Sequence, residues 1–447
     1  MESATEKIMK PNSSPLGAGG QLYQRRKKVV PNALGIFNPS SVQYAHGSVM
    51  VDADGKELID FAGGIGVLNA GHCPPPVVKA IQEQAERLIH SSFNVAIYEE
   101  YLELAEKLVE ILPHGDATKV MFLNSGAEAV ENVIKIAKQA TKRPAIIAYG
   151  GGFHGRTMMA MSLTSKVAYK SGCGPFAPEV YRIDYPAYNK KKQTISEEIF
   201  AAQEIQKLKL FFKSNVRSED VAAIIIELVQ GEGGFYVASK PYIQKLRKLC
   251  DELGILLIFD EVQSGFGRTG KWAAYEHYDV TPDLSTWAKS MGSGVPIAAV
   301  MGKAHIMDAA SPGTIGGTYA GNPVCCAASL ATIKYMEEIN INALGEKVGS
   351  IVRKRFEHFQ TAYPNIIGEV RGLGAMLAFD VIKDGDDTKP NTELTKKIME
   401  TCAERGLVII TAGVHGNVIR ILSPLVIEEE LLNKGLDILQ QVIAENV

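Results

Sequence analysis

Disulfide chemistry is the first thing missing from this chain. Its six cysteines (Cys73, Cys173, Cys250, Cys325, Cys326 and Cys402) lie in 447 residues without CxxC spacing, and so few thiols in so long a chain point to a reducing compartment. Long apolar runs are also absent. Stretches such as residues 221–226 fall far short of the roughly 20 residues that span a bilayer. The N-terminus carries Glu2 and Glu6 and no apolar targeting core, so a cytoplasmic protein is expected. A net charge of -3 and a pI near 6.3 give no field for nucleic acid or an anionic membrane. The basic clusters at residues 25–28 and 190–192 read as solvated surface. Nine histidines form neither HExxH nor a close ligand cluster, so no metal site is expected. No GxGxxG opens a helix after the first strand and no GxxxxGK[ST] occurs, which leaves nucleotide binding with little support.

What is present is an ordinary core-forming composition, 46% hydrophobic and 22% charged, enough for two or three domains of roughly 150 residues. Residues 1–30, rich in Gly, Ser, Pro and Lys without periodicity, read as a poorly ordered arm. Asp54-Gly55 between two alternating runs signals a hairpin. From about 76 to 330, helical patterns alternate with apolar runs at 119–123, 145–148, 222–228, 255–259 and 295–301. That alternation predicts βαβ units and a mainly parallel sheet, and polar groups at the carboxyl ends of such strands line the usual ligand crevice. Residues 194–214 read as an external charged helix. Beyond about 330 the pattern changes to helices at 327–336 and 343–359 and short strands near 372–381 and 406–410, a separate α+β lobe.

Two residues carry the chemistry of this crevice. Asp260 ends an apolar run and is therefore expected to be buried, where an unpaired carboxylate is driven towards its neutral form. It needs a cationic partner, and a protonated heterocyclic nitrogen supplies one. Lys289 ends the next apolar run, 29 residues on, before the flexible Ser290-Met291-Gly292-Ser293-Gly294. A desolvated lysine has a lowered pKa and more of the neutral amine that attacks an aldehyde. One cofactor needs both groups, pyridoxal phosphate. Either residue alone reads equally well as structural.

Their company favours the cofactor. Ser125, Gly126 and Ala127 form a turn that opens a helix, where free N–H groups suit a phosphate; Ser125 and Glu128 also match a capping box. Phe153 and Arg156 follow another strand, one able to cover a flat ring and the other to reach an anion, while His154 reads as structural. Glu227 closes a strand and leads to Glu232 on a glycine-rich loop. Arg420, between apolar neighbours, needs an anion, either a structural carboxylate or a substrate.

These motifs, with Gly63-Gly-Ile-Gly-Val-Leu-Asn69, Gln230-Gly-Glu-Gly-Gly234, Asp260-Glu-Val-Gln-Ser-Gly265 and Gly317-Thr-Tyr-Ala-Gly-Asn-Pro323, resemble the class III (ω-amino acid) aminotransferases over nearly all of residues 35–445. The resemblance implies an α/β fold of the PLP fold type I. Residues 76–330 would form the large domain, with a central mainly parallel sheet. The segments 1–75 and 331–447 would form a smaller α+β domain. It implies that Lys289 bonds the cofactor aldehyde and shuttles a proton, and that Asp260 pairs with the ring nitrogen. Gln263 would meet the ring hydroxyl, with Phe153 and Val262 on the two ring faces and Glu227 also beside the cofactor. Ser125, Gly126 and Ala127 would hold the phosphate, joined by Thr318 from a neighbouring subunit of a homodimer or dimer of dimers. It further implies that Arg156 binds the distal carboxylate, that Arg420 binds the α-carboxylate of glutamate and is otherwise neutralised by Glu232, and that Ile65 lines the pocket. The implied reaction moves the terminal amino group of 4-aminobutyrate or 5-aminovalerate to 2-oxoglutarate by a ping-pong route through pyridoxamine phosphate. Ornithine or acetylornithine aminotransferase, a pyruvate-dependent ω-transaminase, a racemase and a non-catalytic pyridoxal phosphate-binding protein remain as alternatives. Two departures from the family pattern are Leu228 in place of proline and the Met291-Gly292-Ser293-Gly294 run after the lysine.

Overall fold

The computed structural model describes residues 17–37, 40–115 and 117–446. Seven strands form the central sheet: β4 (Thr118–Leu123), β5 (Ala145–Tyr149), β6 (Val180–Ile183), β7 (Val221–Ile226), β8 (Leu256–Asp260), β9 (Leu284–Trp287) and β10 (Ala298–Lys303). Their spatial order is β4-β10-β9-β8-β7-β5-β6. Only β10 runs against its neighbours; the pairs from β9 to β6 are all parallel. Every residue of β5 and β7 is buried, as expected for a sheet covered on both faces. The sheet is mainly parallel, and its carboxyl ends face one edge of the molecule.

The helix Gly126–Thr141 shows why the elements form where they do. Ser125 Oγ accepts from Glu128 N and the Glu128 carboxylate accepts from Ser125 N, a reciprocal cap. Val130, Val133, Ile134 and Ala137 then recur at helical spacing, and all four are buried against the sheet. Lys142 ends the helix in a left-handed conformation at φ 58°.

The two ends of the chain meet. The short sheet β1 (Tyr44–His46), β2 (Val49–Val51) and β3 (Glu57–Asp60) contains the expected hairpin, with Gly55 at φ 83° in its turn. It is completed by β14 (Leu407–Val408), parallel to β3. A third sheet follows from the C-terminal third: β11 (Ile367–Leu373), β12 (Met376–Lys383), β13 (Asp386–Pro390), β15 (Ile410–Ala412) and β16 (Val418–Ile421). The helices Ile341–Ala362 and Thr392–Glu404 pack on it, Glu429–Ala444 packs on both of these helices, and Pro323–Glu338 packs instead on the helices Pro75–Arg87 and Glu99–Ile111.

One expectation is corrected. Part of the presumed arm is ordered, since Ala18–Val29 is a helix. The cause is tertiary. The Asp54 carboxylate, from the hairpin turn, accepts from Ala18 N at 2.6 Å and Gly19 N at 3.1 Å, capping a segment that has no cap of its own. Arg26, Lys27 and Lys28 fall in the last turn, where cations suit the helix dipole. Residues 1–16 lie outside the described residues. No helix among the described residues is long and apolar enough to cross a membrane.

Phe61 locks the terminal halves together. It is fully buried, and a Cβ on Gly435 of the last helix would lie 2.4 Å from its ring. Phe61→Ala removes this ring with little room for collapse, and should cost about 3–5 kcal/mol. Chemical denaturation of the variant checks this through a fall in midpoint.

Candidate active site

Parallel pairing of β8 with β9 creates the centre of the site. Asp260 lies in register with Thr286, and Lys289 follows three residues later, so carboxylate and amine emerge at adjacent strand ends. Asp260 is buried. Its Oδ1 accepts from Thr286 Oγ1 at 3.0 Å and Val262 N at 3.2 Å, and its Oδ2 lies 2.7 Å from His154 Nδ1. Burial pushes His154 down, but its bond to Asp260 and the charge of that carboxylate outweigh this and raise its pKa. A second buried carboxylate, Glu227, accepts from Phe153 N at 2.8 Å and Gly231 N at 2.9 Å. Burial raises it to about 7 although the His154 charge pulls the other way.

Lys289 begins a short 3-10 turn with φ 49°; its carbonyl accepts from Gly292 N at 3.1 Å, while its amine makes no hydrogen bond or ion pair among the described residues. Burial lowers its pKa, opposed by Glu232, Asp260 and Glu227 and assisted by Arg420. The departing Met291-Gly292-Ser293-Gly294 run is compact, because a Cβ on Gly292 would lie 2.6 Å from Ile297. Its neighbour Ser290 donates to Gly66 O at 3.1 Å, joining the lysine turn to residues 63–66, all left-handed. Leu228, the other departure, is fully buried and its carbonyl accepts from Ala238 N, Tyr185 and Tyr278.

These groups surround a cavity of about 510 Å³. The strand ends bring Ser125, Gly126, Ala127, Phe153 and Arg156 onto its wall. Glu227, Glu232, Asp260, Val262, Gln263 and Lys289 line it as well. Arg420 stands one layer back, fully buried, with Nη2 2.6 Å from Glu232 Oε1 and Nη1 donating to Gly231 O at 3.0 Å. Ile65 is not on the wall: it is a 38% exposed residue at φ 66°, and Val67 faces the cavity instead. Thr318 is exposed and also outside the cavity.

The cavity fits a planar, phosphorylated, aldehyde-bearing heterocycle on three counts. The capping box leaves Gly126 N and Ala127 N without partners among the described residues, so two amides at a helix N-terminus are free for an anion. A Cβ on Gly126 would lie 3.0 Å from Val262 Cγ1, so this approach is kept open by glycine. Gln263 Oε1 is buried without a partner, and such a group calls for a donor.

Sequence reasoning passed over several residues here. His154 was assigned to structure, yet it holds Asp260; its place beside Phe153 in Gly152-Phe-His-Gly-Arg156 was the available signal. Tyr169, whose hydroxyl donates to Glu232 Oε2 at 3.0 Å, and Lys166, which donates to Gly413 O at 3.1 Å, left no signal because only the fold brings them there.

Comparison with known proteins agrees with this geometry. The chain belongs to the class-III aminotransferases: the family model matches residues 36–443. It is therefore a pyridoxal phosphate-dependent aminotransferase acting between an amino donor and a 2-oxo acid. Among particular relatives, it is 47% identical to the probable 4-aminobutyrate aminotransferase of Bacillus subtilis, over 94% of this chain and 96% of that one. It is 45% identical to the 5-aminovalerate aminotransferase of Pseudomonas aeruginosa, over 95% and 98%. The structure of the taurine:2-oxoglutarate aminotransferase of Bifidobacterium kashiwanohense, in complex with PLP and glutamate, is similar with TM-score 0.89 and 28% identity, over 97% and 99% of the two chains.

The raised Glu227 carboxyl gives a pH test on cofactor-free protein. With a folded pKa of about 7 against an ordinary 4.5, its contribution is fully present below about pH 4.5. It is lost as pH rises through 7, because the unfolded chain gives up its proton first. Glu261, also raised to about 7 by burial, acts in the same sense, whereas His114, lowered to about 4 by burial, opposes it. The expected result is therefore a difference: between pH 4.5 and 7 the denaturation midpoint of Glu227→Gln should fall less, or rise more, than that of the wild type. Parallel profiles would contradict the burial argument.

Proposed function

We propose that the protein transfers the terminal amino group of an ω-amino acid, 4-aminobutyrate or 5-aminovalerate, to 2-oxoglutarate by a ping-pong route. The observation that carries this reading is the unequal state of two arginines. Arg156 lines the cavity and has no hydrogen-bond or ion-pair partner among the described residues, whereas buried Arg420 is neutralised by Glu232. A donor bearing one carboxylate at the end remote from its amine needs one free guanidinium, and a second would carry an uncompensated buried charge. A dicarboxylate acceptor needs both, which Glu232 permits by moving aside. The relatives named for 4-aminobutyrate and 5-aminovalerate support the same donor class.

In this reading the bound pyridoxal phosphate supplies an electron-withdrawing ring that stabilises negative charge at the substrate carbon. The chain does the rest. Asp260, fixed by His154 and Thr286, would pair with the ring nitrogen. Phe153 and Val262 would cover the two ring faces, and Gln263 Oε1 would accept from the ring hydroxyl. Glu227 fixes the Phe153 backbone, while Gly126 N, Ala127 N and Ser125 hold the phosphate. Lys289, its pKa lowered by burial, would hold the cofactor through its aldehyde and would serve as the base that carries the proton from the substrate carbon.

Thr318 belongs to the site of a second copy in this proposal. Its exposed position supports that role, as do the exposed apolar groups nearby: Tyr319 is 64% exposed, its ring tilted by 39° against His90 with centroids 5.1 Å apart, beside Ile89 at 63%. A homodimer, working in the cytoplasm, follows from this reading. Ile65, on the outer side of its turn, would face that subunit boundary.

Lys289→Ala should lower transamination by about 10³-fold or more; retention of full turnover would sink the reading. Arg156→Met should raise KM for 5-aminovalerate roughly 10²-fold through loss of a charge-assisted bidentate contact. Pentylamine, which lacks the carboxylate, should be indifferent to the change. Equal losses for both donors would remove Arg156 from carboxylate recognition.

A further inference from the structure

We propose that Tyr169 is a positioning residue that sets the donor-to-acceptor preference of the site by holding Glu232 in the position that neutralises Arg420. This rests on the two-arginine reading above and extends it to a residue outside the charged pair.

Both oxygens of the Glu232 carboxylate are engaged. Oε1 takes the Arg420 Nη2 donor at 2.6 Å and Oε2 takes the Tyr169 hydroxyl at 3.0 Å. Moving the carboxylate off Arg420 therefore breaks two charge-assisted hydrogen bonds. A charged acceptor makes each worth more than a neutral bond.

The backbone of Glu232 offers no easier route. Its carbonyl accepts from Gly413 N at 3.0 Å, and Gly231 N is held by Glu227. The flanking glycines mark crowding: a Cβ on Gly231 would lie 2.6 Å from Gln263 Oε1, and one on Gly233 2.6 Å from Gln230 Oε1. The gate must consequently open by rotation of the Glu232 side chain, and Tyr169 stands on that rotation.

Tyr169 is itself anchored. Its ring lies edge-on to Phe153 with centroids 5.2 Å apart. Lys166 Nζ sits 5.4 Å above it while donating to Gly413 O. Burial and the neighbouring Glu232 push the Tyr169 hydroxyl up to about 12, so it stays a donor across the working pH range. The arrangement favours the closed gate that a one-carboxylate donor requires, at the expense of the open gate that a dicarboxylate requires.

Two five-carbon acids test this, glutarate with two carboxylates and valerate with one, titrated into the holoenzyme by calorimetry. Tyr169→Phe keeps the ring and removes the hydroxyl, so opening becomes easier. The glutarate Kd should fall about tenfold, the size of one charge-assisted bond, with the valerate Kd unchanged. In turnover, KM for 2-oxoglutarate should fall by a similar factor while KM for 5-aminovalerate holds. Glu232→Ala serves as the reference, because removing the gate should tighten glutarate at least as much. If Glu232→Ala tightens glutarate and Tyr169→Phe leaves it within twofold of wild type, the inference fails and the two-arginine reading stands. Equal changes for both acids in Tyr169→Phe would mark a merely structural residue and also overturn it. If Glu232→Ala itself leaves the glutarate-to-valerate ratio unchanged, the underlying reading falls and the inference with it.

Discussion

The 2.7 Å contact between His154 Nδ1 and Asp260 Oδ2 is the interaction on which the site depends. Asp260 is buried on the cavity wall, where a carboxylate without partners is costly. His154, itself raised by Asp260, supplies compensating positive character from behind, and Thr286 and Val262 occupy the other oxygen. The carboxylate is thus fixed in direction before any ligand arrives, which is preorganisation in the usual sense. Parallel sheet geometry makes this possible, because β5, β7, β8 and β9 all deliver their carboxyl ends to the same edge.

Around this anion the other charges are graded by burial and pairing. Glu227 is pushed up by its burial and further by the neighbouring Asp260. Glu232 goes the other way: burial would raise it, but Arg420, Lys289 and Tyr169 bring it down. Lys289 is lowered by burial against the pull of three acidic neighbours. An amine, two classes of carboxylate and two arginines in different states of pairing thus occupy one cavity without collapsing into a single ion-pair cluster.

How much of this could be read beforehand depended on whether the signal was local. The turn at Ser125 was legible as a helix start because Ser125 and Glu128 cap a helix whose apolar face recurs at regular spacing. Asp260 and Lys289 were legible as polar residues ending apolar runs, and the Asp54-Gly55 hairpin announced itself by composition. The failures were contacts between distant segments. Ala18–Val29 is helical because Asp54 caps it from the hairpin, and Tyr169 matters because its short turn lies beside a loop more than sixty residues on. At residues 63–66 the motif was legible but its backbone was not: four successive left-handed residues leave Ile65 38% exposed and Val67 on the cavity wall.

The parallel pairing of β3 with β14 has a temporal side. Ile59 and Asp60 are matched to Leu407 and Val408, so the N-terminal sheet lacks an edge partner until those residues, about 350 positions later, have been made. At ~5–20 residues per second on the ribosome, the intervening segment takes roughly 20–70 s to synthesise, while the central sheet can form from contacts that are already available. Arg420 and Gly413 come from the same late segment. The cavity wall up to Lys289 can therefore take shape on the nascent chain before Arg420, the ion-pair partner of Glu232, has been made.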